Sequence, residues 1–276
     1  TMGGPGLYKD LGKKASKVLD DDYCFDIKGE VKAKASNGVK FEGAVKDNKK
    51  GVSGTLKTEW KACKWATIKE TLDTEGKVVA EAAMNFNEYL DGLNVTAETT
   101  IAKKGGRKVK FDYVHEHFTA NGTLDLAGNP KLSASVVGGY EGFSVGVDAE
   151  DLNPDKACGA VQYKGDNFQA AVICKDKGRD LKASYVQDVN SNLAIAAEFT
   201  CLRGEKSANL LTLGMSHKCD DDASCRAKIN TEGIFSVVYC QRLKSDVTMK
   251  LSGQIDTQKL DNQAPRVGLV LTADLQ

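Results

Sequence analysis

The chain has 276 residues, with 38 lysines and arginines balancing 38 aspartates and glutamates, and a negative mean hydropathy. Balanced charge gives no pull toward nucleic acid or an acidic substrate, and no apolar run approaches the roughly 18 residues that mark a transmembrane helix. A membrane β-barrel stays open, because its strands alternate apolar and polar residues and so average to a low hydropathy.

The N-terminus carries no charged, apolar and small-residue signal sequence, which disfavours a bacterial outer-membrane route. Residues 7–19 then have a clear helical period. Leu7, Leu11, Ala15, Val18 and Leu19 recur at spacings of three and four, while Lys9, Asp10, Lys13 and Lys17 occupy the rest of the surface. This segment is too short to cross a bilayer, which takes about 20 helical residues. It has to dock on the β region that follows it or lie inside it.

From residue 36 onward, turn signals recur every 10 to 16 residues, among them Ser36-Asn37-Gly38, Lys49-Lys50-Gly51, Asp91-Gly92, Lys104-Gly105-Gly106 and Glu232-Gly233. Glycine, Asn and Asp supply the positive φ that hairpin turns need. Between turns the period is two. Val52, Gly54, Leu56, Thr58 and Trp60 oppose Ser53, Thr55, Lys57 and Glu59, and Val247, Met249, Leu251 and Ile255 oppose Thr248, Lys250, Ser252 and Gln254. The pattern predicts nineteen strands, from 23–35 through 64–73, 180–188, 193–202 and 223–230 to 265–274. Most approach the roughly 9–11 residues of a tilted membrane strand. A soluble β-sandwich of this size calls for a stronger apolar core, and an antiparallel meander this long removes its edges by closing on itself. With an odd number of strands, the first and last run parallel where the barrel shuts.

The eight cysteines are scattered without a CxxC pair and read as reduced thiols on strands, with a Cys219–Cys225 bridge across Asp220-Asp221-Asp222 as the alternative. His115-Glu116-His117 offers two imidazoles with no third ligand nearby, so no metal site is expected. No nucleophile–base pair or phosphate loop calls for an enzyme or a cofactor. Glu70 shares a strand face with Ala66, Ile68 and Leu72. If that face meets lipid, a carboxylate stands where charge is costly. If the strand slips by one residue, it is wet.

Three segments carry a resemblance to the mitochondrial voltage-dependent anion channel family over essentially the whole chain. Leu7-Tyr8-Lys9-Asp10-Leu11-Gly12-Lys13, followed by Ala15 and Val18, resembles the family's N-terminal helix. Gly138-Gly139-Tyr140-Glu141-Gly142-Phe143 is similar to its mid-chain segment. The run from Arg266 to Ala273, with Arg266, Gly268, Leu271 and Ala273 in place, resembles the sorting signal of mitochondrial barrels. Nineteen is the strand count already known for this family, so that number is a match and not an independent derivation.

The resemblance implies a single closed transmembrane β-barrel, residues 23–276, with residues 1–22 as an amphipathic helix segment in the lumen. It implies a voltage-gated, anion-preferring channel of the mitochondrial outer membrane that passes ADP, ATP, phosphate and small metabolites passively. Lys9, Asp10, Lys13, Lys14 and Lys17 would then set anion selectivity and gating, and Glu70 would be a lipid-facing acid for gating or partner docking. Expected partners are outer-membrane lipids and sterols, the transported anions, a second copy of the chain, and kinases such as hexokinase. The runner-up is the barrel of the outer-membrane protein-import translocase, and the third reading is a soluble β-sandwich binding protein. The sequence departs from the family at two places. Asp20-Asp21-Asp22 stands where a glycine-rich hinge is expected, which makes the connection stiffer and more acidic. Asn94 follows Gly92-Leu93 where the family often has lysine.

Overall fold

A computed structural model describes residues 4–48, 51–102, 105–203, 208–260 and 264–275. Two of the predicted turns, at Lys49-Lys50 and at Lys104, lie outside these residues. Among the described residues there are nineteen strands. The first seven are β1 (Ile27–Lys34), β2 (Lys40–Asn48), β3 (Gly51–Cys63), β4 (Ala66–Asp73), β5 (Val78–Asn85), β6 (Leu93–Ile101) and β7 (Gly106–Val114). The next six are β8 (Phe118–Asp125), β9 (Lys131–Tyr140), β10 (Phe143–Ala149), β11 (Ala157–Lys164), β12 (Phe168–Lys175) and β13 (Asp180–Asp188). The last six are β14 (Leu193–Leu202), β15 (Ala208–Lys218), β16 (Ala223–Asn230), β17 (Ile234–Lys244), β18 (Val247–Asp256) and β19 (Arg266–Leu275).

Each strand pairs antiparallel with its chain neighbour, and β1 pairs parallel with β19, so the sheet closes on itself. The expected strands at 180–188, 193–202 and 223–230 coincide with β13, β14 and β16. The first strand starts later than expected, at Ile27 instead of residue 23. Tyr23–Asp26 reach the wall through side chains and single backbone contacts, described below.

Alternation assigns the two faces. Val145, Val161 and Val172 are direct register partners and all exposed, so this face points outward. The opposite positions, Val137, Ala160, Ala171, Val186 and Ala196, are buried and point inward. On the outside, a row of rings links Phe143, Tyr163, Phe168 and Tyr185 at centroid separations of 4.5, 5.6 and 5.9 Å. The row borders the hairpin ends that join odd to even strands, where an interfacial aromatic girdle belongs. No helix among the described residues is long and apolar enough to cross a membrane. Crossing is done by the strands.

Candidate functional site

The segment before β1 lies against the inner wall. The single helix expected over 7–19 is broken in two: a turn of 3-10 helix, Tyr8–Asp10, and α1, Lys13–Leu19. Gly12 is the break. Its φ of 73° lies in the left-handed region, and a Cβ there would sit 3.2 Å from Ser184 Oγ and 3.5 Å from Ala171 Cβ. Its N–H donates to Gln162 Oε1 at 2.9 Å. The break lets the apolar residues meet two patches of wall. Leu11 packs with Val137 and Ala160, and Ala15, Val18 and Leu19 pack with Val186 and Ala196.

The wall permits this approach because its inward residues are small. Val186, Ala196, Gly214 and Lys228 are successive register partners across β13 to β16. A Cβ at Gly214 would come within 2.6 Å of Leu19 Cδ2, and one at Gly146 within 2.9 Å of the Tyr8 ring. Tyr8 itself is half-buried, and its hydroxyl has no hydrogen-bond partner among the described residues. Burial, followed by the charges of Cys158, Asp148 and Cys174, pushes its pKa up to about 12.

On the polar face of α1, Lys13 and Lys17 are exposed and Lys14 reaches back to the wall. Lys13 Nζ lies 2.8 Å from Asp10 Oδ1, and that hydrogen bond, with the same carboxylate's charge, raises the ammonium's pKa. Lys14 Nζ is 2.5 Å from Asp188 Oδ2 on the wall. Lys9 and Lys17 are exposed and have no ion partner among the described residues.

Two members of the acidic run, Asp20 and Asp22, are paired with cations of the wall. Asp20 Oδ1 is 3.2 Å from Lys228 Nζ, and Asp22 lies 2.8 Å from Arg226 and 2.6 Å from Lys250. Arg226 also donates to the carbonyls of Lys17 at 3.1 Å and Asp21 at 3.0 Å, covering carbonyls near the helix end. Asp22 takes a left-handed φ of 71°, which Asp tolerates better than most residues, so an acid occupies a bend suited to glycine. Lys228 Nζ sits 4.5 Å above the Tyr23 ring, whose hydroxyl burial pushes up to about 12. Downstream, Cys24 N–H donates to Ser252 Oγ at 3.3 Å and Asp26 pairs with Lys46 at 2.8 Å.

The remaining residues singled out in the sequence sit elsewhere on the barrel. Glu70, on β4, is opposite Thr58 and Ala80 and shares its outward face with the exposed Leu56 and Leu72. Asn94 faces inward, accepting from Asn85 Nδ2 at 3.0 Å. In β19, Arg266 lies 5.1 Å from the Phe25 ring, Leu271 is exposed outward, and Ala273 shares its face. A Cβ at Gly268 would strike Cys24 O at 2.0 Å, so glycine is needed where residues 24 and 25 cross the strand. His115 and His117 lie in the β7–β8 turn with ring centroids 6.0 Å apart.

Gln162, Asp188, Arg226, Lys228 and Lys250 stand in no motif of the sequence. Arg226 and Lys228 stand two apart on the inward face of β16, a paired-cation signal that was present in the sequence but carried no partner until the register was known.

A closed, outwardly apolar barrel with a charged segment along its inner wall is a transmembrane pore of the porin class. The family model described as eukaryotic porin matches residues 4–268, and the chain belongs to that family. It is 29% identical to the voltage-dependent anion-selective channel of Drosophila melanogaster, over 97% of this chain and 98% of that one. It is 30% identical to the non-selective voltage-gated ion channel VDAC2 of Meleagris gallopavo (98% and 94%) and 27% identical to the mitochondrial outer membrane protein porin 6 of Oryza sativa (97% and 98%). The barrel belongs to the mitochondrial outer membrane. These relatives are channels and porins, which does not favour the import-translocase reading, and the outward apolar face overturns the soluble sandwich.

Proposed function

We propose that the chain is a voltage-gated, anion-preferring channel through which ADP, ATP, phosphate and small metabolites diffuse passively. The observation that carries this reading is the orientation of the luminal segment. Its apolar face is spent on the wall, which leaves Lys9 and Lys17 exposed with no ion partner among the described residues, while Lys13 is held by Asp10 and Lys14 by Asp188. Cations lining a confined pore raise the local concentration of anions. Within the acidic run, the charges of Asp20 and Asp22 are offset by three cations, Arg226, Lys228 and Lys250. In this reading residues 1–22 gate, residues 23–276 conduct, and Asp20–Asp22 form an anchored hinge. Arg266, Gly268, Leu271 and Ala273 mark the barrel for sorting. Glu70 addresses lipids, sterols, a second copy of the chain or a docked kinase such as hexokinase.

The relatives' names divide between anion-selective and non-selective, so selectivity is the property to measure. The refolded chain in a planar bilayer under a KCl gradient is expected to reverse on the chloride side and to close at either voltage sign. A reversal potential at zero or on the potassium side overturns the anion preference. A conductance indifferent to voltage overturns the gating.

A further inference from the structure

The hairpin between β15 and β16 gathers chemistry that conduction does not use. In register, His217 stands opposite Cys225, and Cys219, two residues past His217, continues that outward face into the turn. Cys219 Sγ lies 3.9 Å from Cys225 Sγ and 3.6 Å from His217 Nδ1. One ligand atom from each of the three residues lies within 4.8 Å of the others. A tetrahedral Zn2+ has bonds of about 2.3 Å to sulfur and about 2.0–2.1 Å to nitrogen, which sets S···S edges near ~3.8 Å and S···N edges near ~3.6 Å. The two edges from Cys219, at 3.9 and 3.6 Å, already have the lengths of such a tetrahedron, and the third, between Cys225 and His217, is within 4.8 Å. A disulfide would instead need sulfurs about 2.05 Å apart, and it gives His217 no part.

We infer that His217, Cys219 and Cys225 form a binding site for a thiophilic divalent cation of the zinc class, with the fourth vertex open to water. The turn's carboxylates are engaged elsewhere and hold the loop. Asp220 Oδ1 accepts from the N–H groups of Asp222 at 2.8 Å and Ala223 at 2.6 Å. Asp221 pairs with Lys218 at 2.6 Å and Asp222 with Arg242 at 3.4 Å. Cys219 N–H donates to Ala223 O at 2.9 Å, so one ligand is fixed by the backbone of the hairpin that carries the others. Cys219 is exposed, which admits the ion from solution. Both thiols must lose protons to bind, so binding releases protons and tightens as pH rises. The bound ion would tie β15 to β16 at the rim. The site does not depend on which ions the pore passes.

The test uses the full chain refolded in detergent with a non-chelating reductant, titrated with Co2+ and then Zn2+. The expected result is one equivalent of Co2+ with thiolate charge-transfer and tetrahedral d–d bands, displaced by one equivalent of Zn2+. Cys219→Ser and Cys225→Ser should each abolish the bands and weaken Zn2+ by more than about a hundredfold, beyond the 10–100-fold that loss of an outer-shell partner brings. His217→Asn should shift the bands, and Cys63→Ser should leave them intact. If a cysteine variant fails to fold by circular dichroism, amide exchange of the wild-type chain decides, with Zn2+ protecting the β15–β16 hairpin selectively. The inference is overturned by the absence of tetrahedral bands, by bands that survive both cysteine substitutions, by Zn2+ protection that is absent or spread evenly over the barrel, or by a Cys219–Cys225 disulfide in the reductant-treated chain.

Discussion

The inner wall has two unlike arcs. Across β2 to β9, one register row reads Lys40, Glu59, Lys69, Glu81, Glu98, Lys108, Asp125 and Lys131, a belt of alternating charge in which only Glu81 and Glu98 are like neighbours. Glu59 bridges Lys40 at 2.9 Å and Lys69 at 3.1 Å. Across β13 to β16 the corresponding row is Val186, Ala196, Gly214 and Lys228, small and apolar until its last member. The first arc satisfies itself through side chains that reach along the wall. The second is left low and unsatisfied, and the luminal segment completes it. Where the apolar row ends in Lys228, the apolar face of α1 has also ended, and Asp20 meets the cation. A chain with no net charge therefore has a strongly patterned interior.

The contrast is broken most severely by removing apolar volume from the docked side. Leu19, 1% exposed, fills the space above Gly214. Leu19→Ala should weaken docking by roughly 2–5 kcal/mol. Amide exchange of α1 should speed up accordingly while the strands of the first arc keep their protection. A smaller effect is expected from Asp22→Asn. Asn also tolerates the left-handed bend, so the substitution tests charge and not backbone. It strips Arg226 and Lys250 of a shared partner and should cost about 1–3 kcal/mol of anchoring. Exchange at the end of α1 should show the loss, and added salt should shrink the difference from wild type. The smallest effect belongs to the charged belt. Glu59→Gln should change stability in detergent by about 0.2–1 kcal/mol per lost pair and leave α1 exchange untouched. If Glu59→Gln freed α1 as much as Leu19→Ala does, the division into two arcs would be wrong.

What the sequence showed and what it hid follow from the range of the interactions. Strand number, faces and most ends were legible because turn chemistry and period-two alternation are local; β13, β14 and β16 lie where the pattern put them. The start of β1 was misread because Tyr23 alternates correctly but spends its ring on Lys228, not on a ladder. The helix was overextended because Leu7, Leu11 and Ala15 keep a helical spacing through Gly12, whose bend is imposed by a wall some 150 residues away. The acidic run looked like free negative charge because its partners lie more than 200 residues downstream. Cys219 and Cys225 were visible as a pair, whereas His217 joined them only once the register set it opposite Cys225.

The parallel seam has a consequence for how the barrel is made. Every other ladder joins chain neighbours, so the sheet can grow one hairpin at a time as the polypeptide is delivered. The seam alone spans almost the full chain, with Thr272 Oγ1 donating to Glu30 Oε2 at 3.0 Å across 242 residues. Until β19 arrives, β1 waits with an unpaired edge that hydrocarbon does not tolerate. Closure is thus the slowest contact to find and the last to form, and until then the first edge of the sheet has no ladder partner of its own.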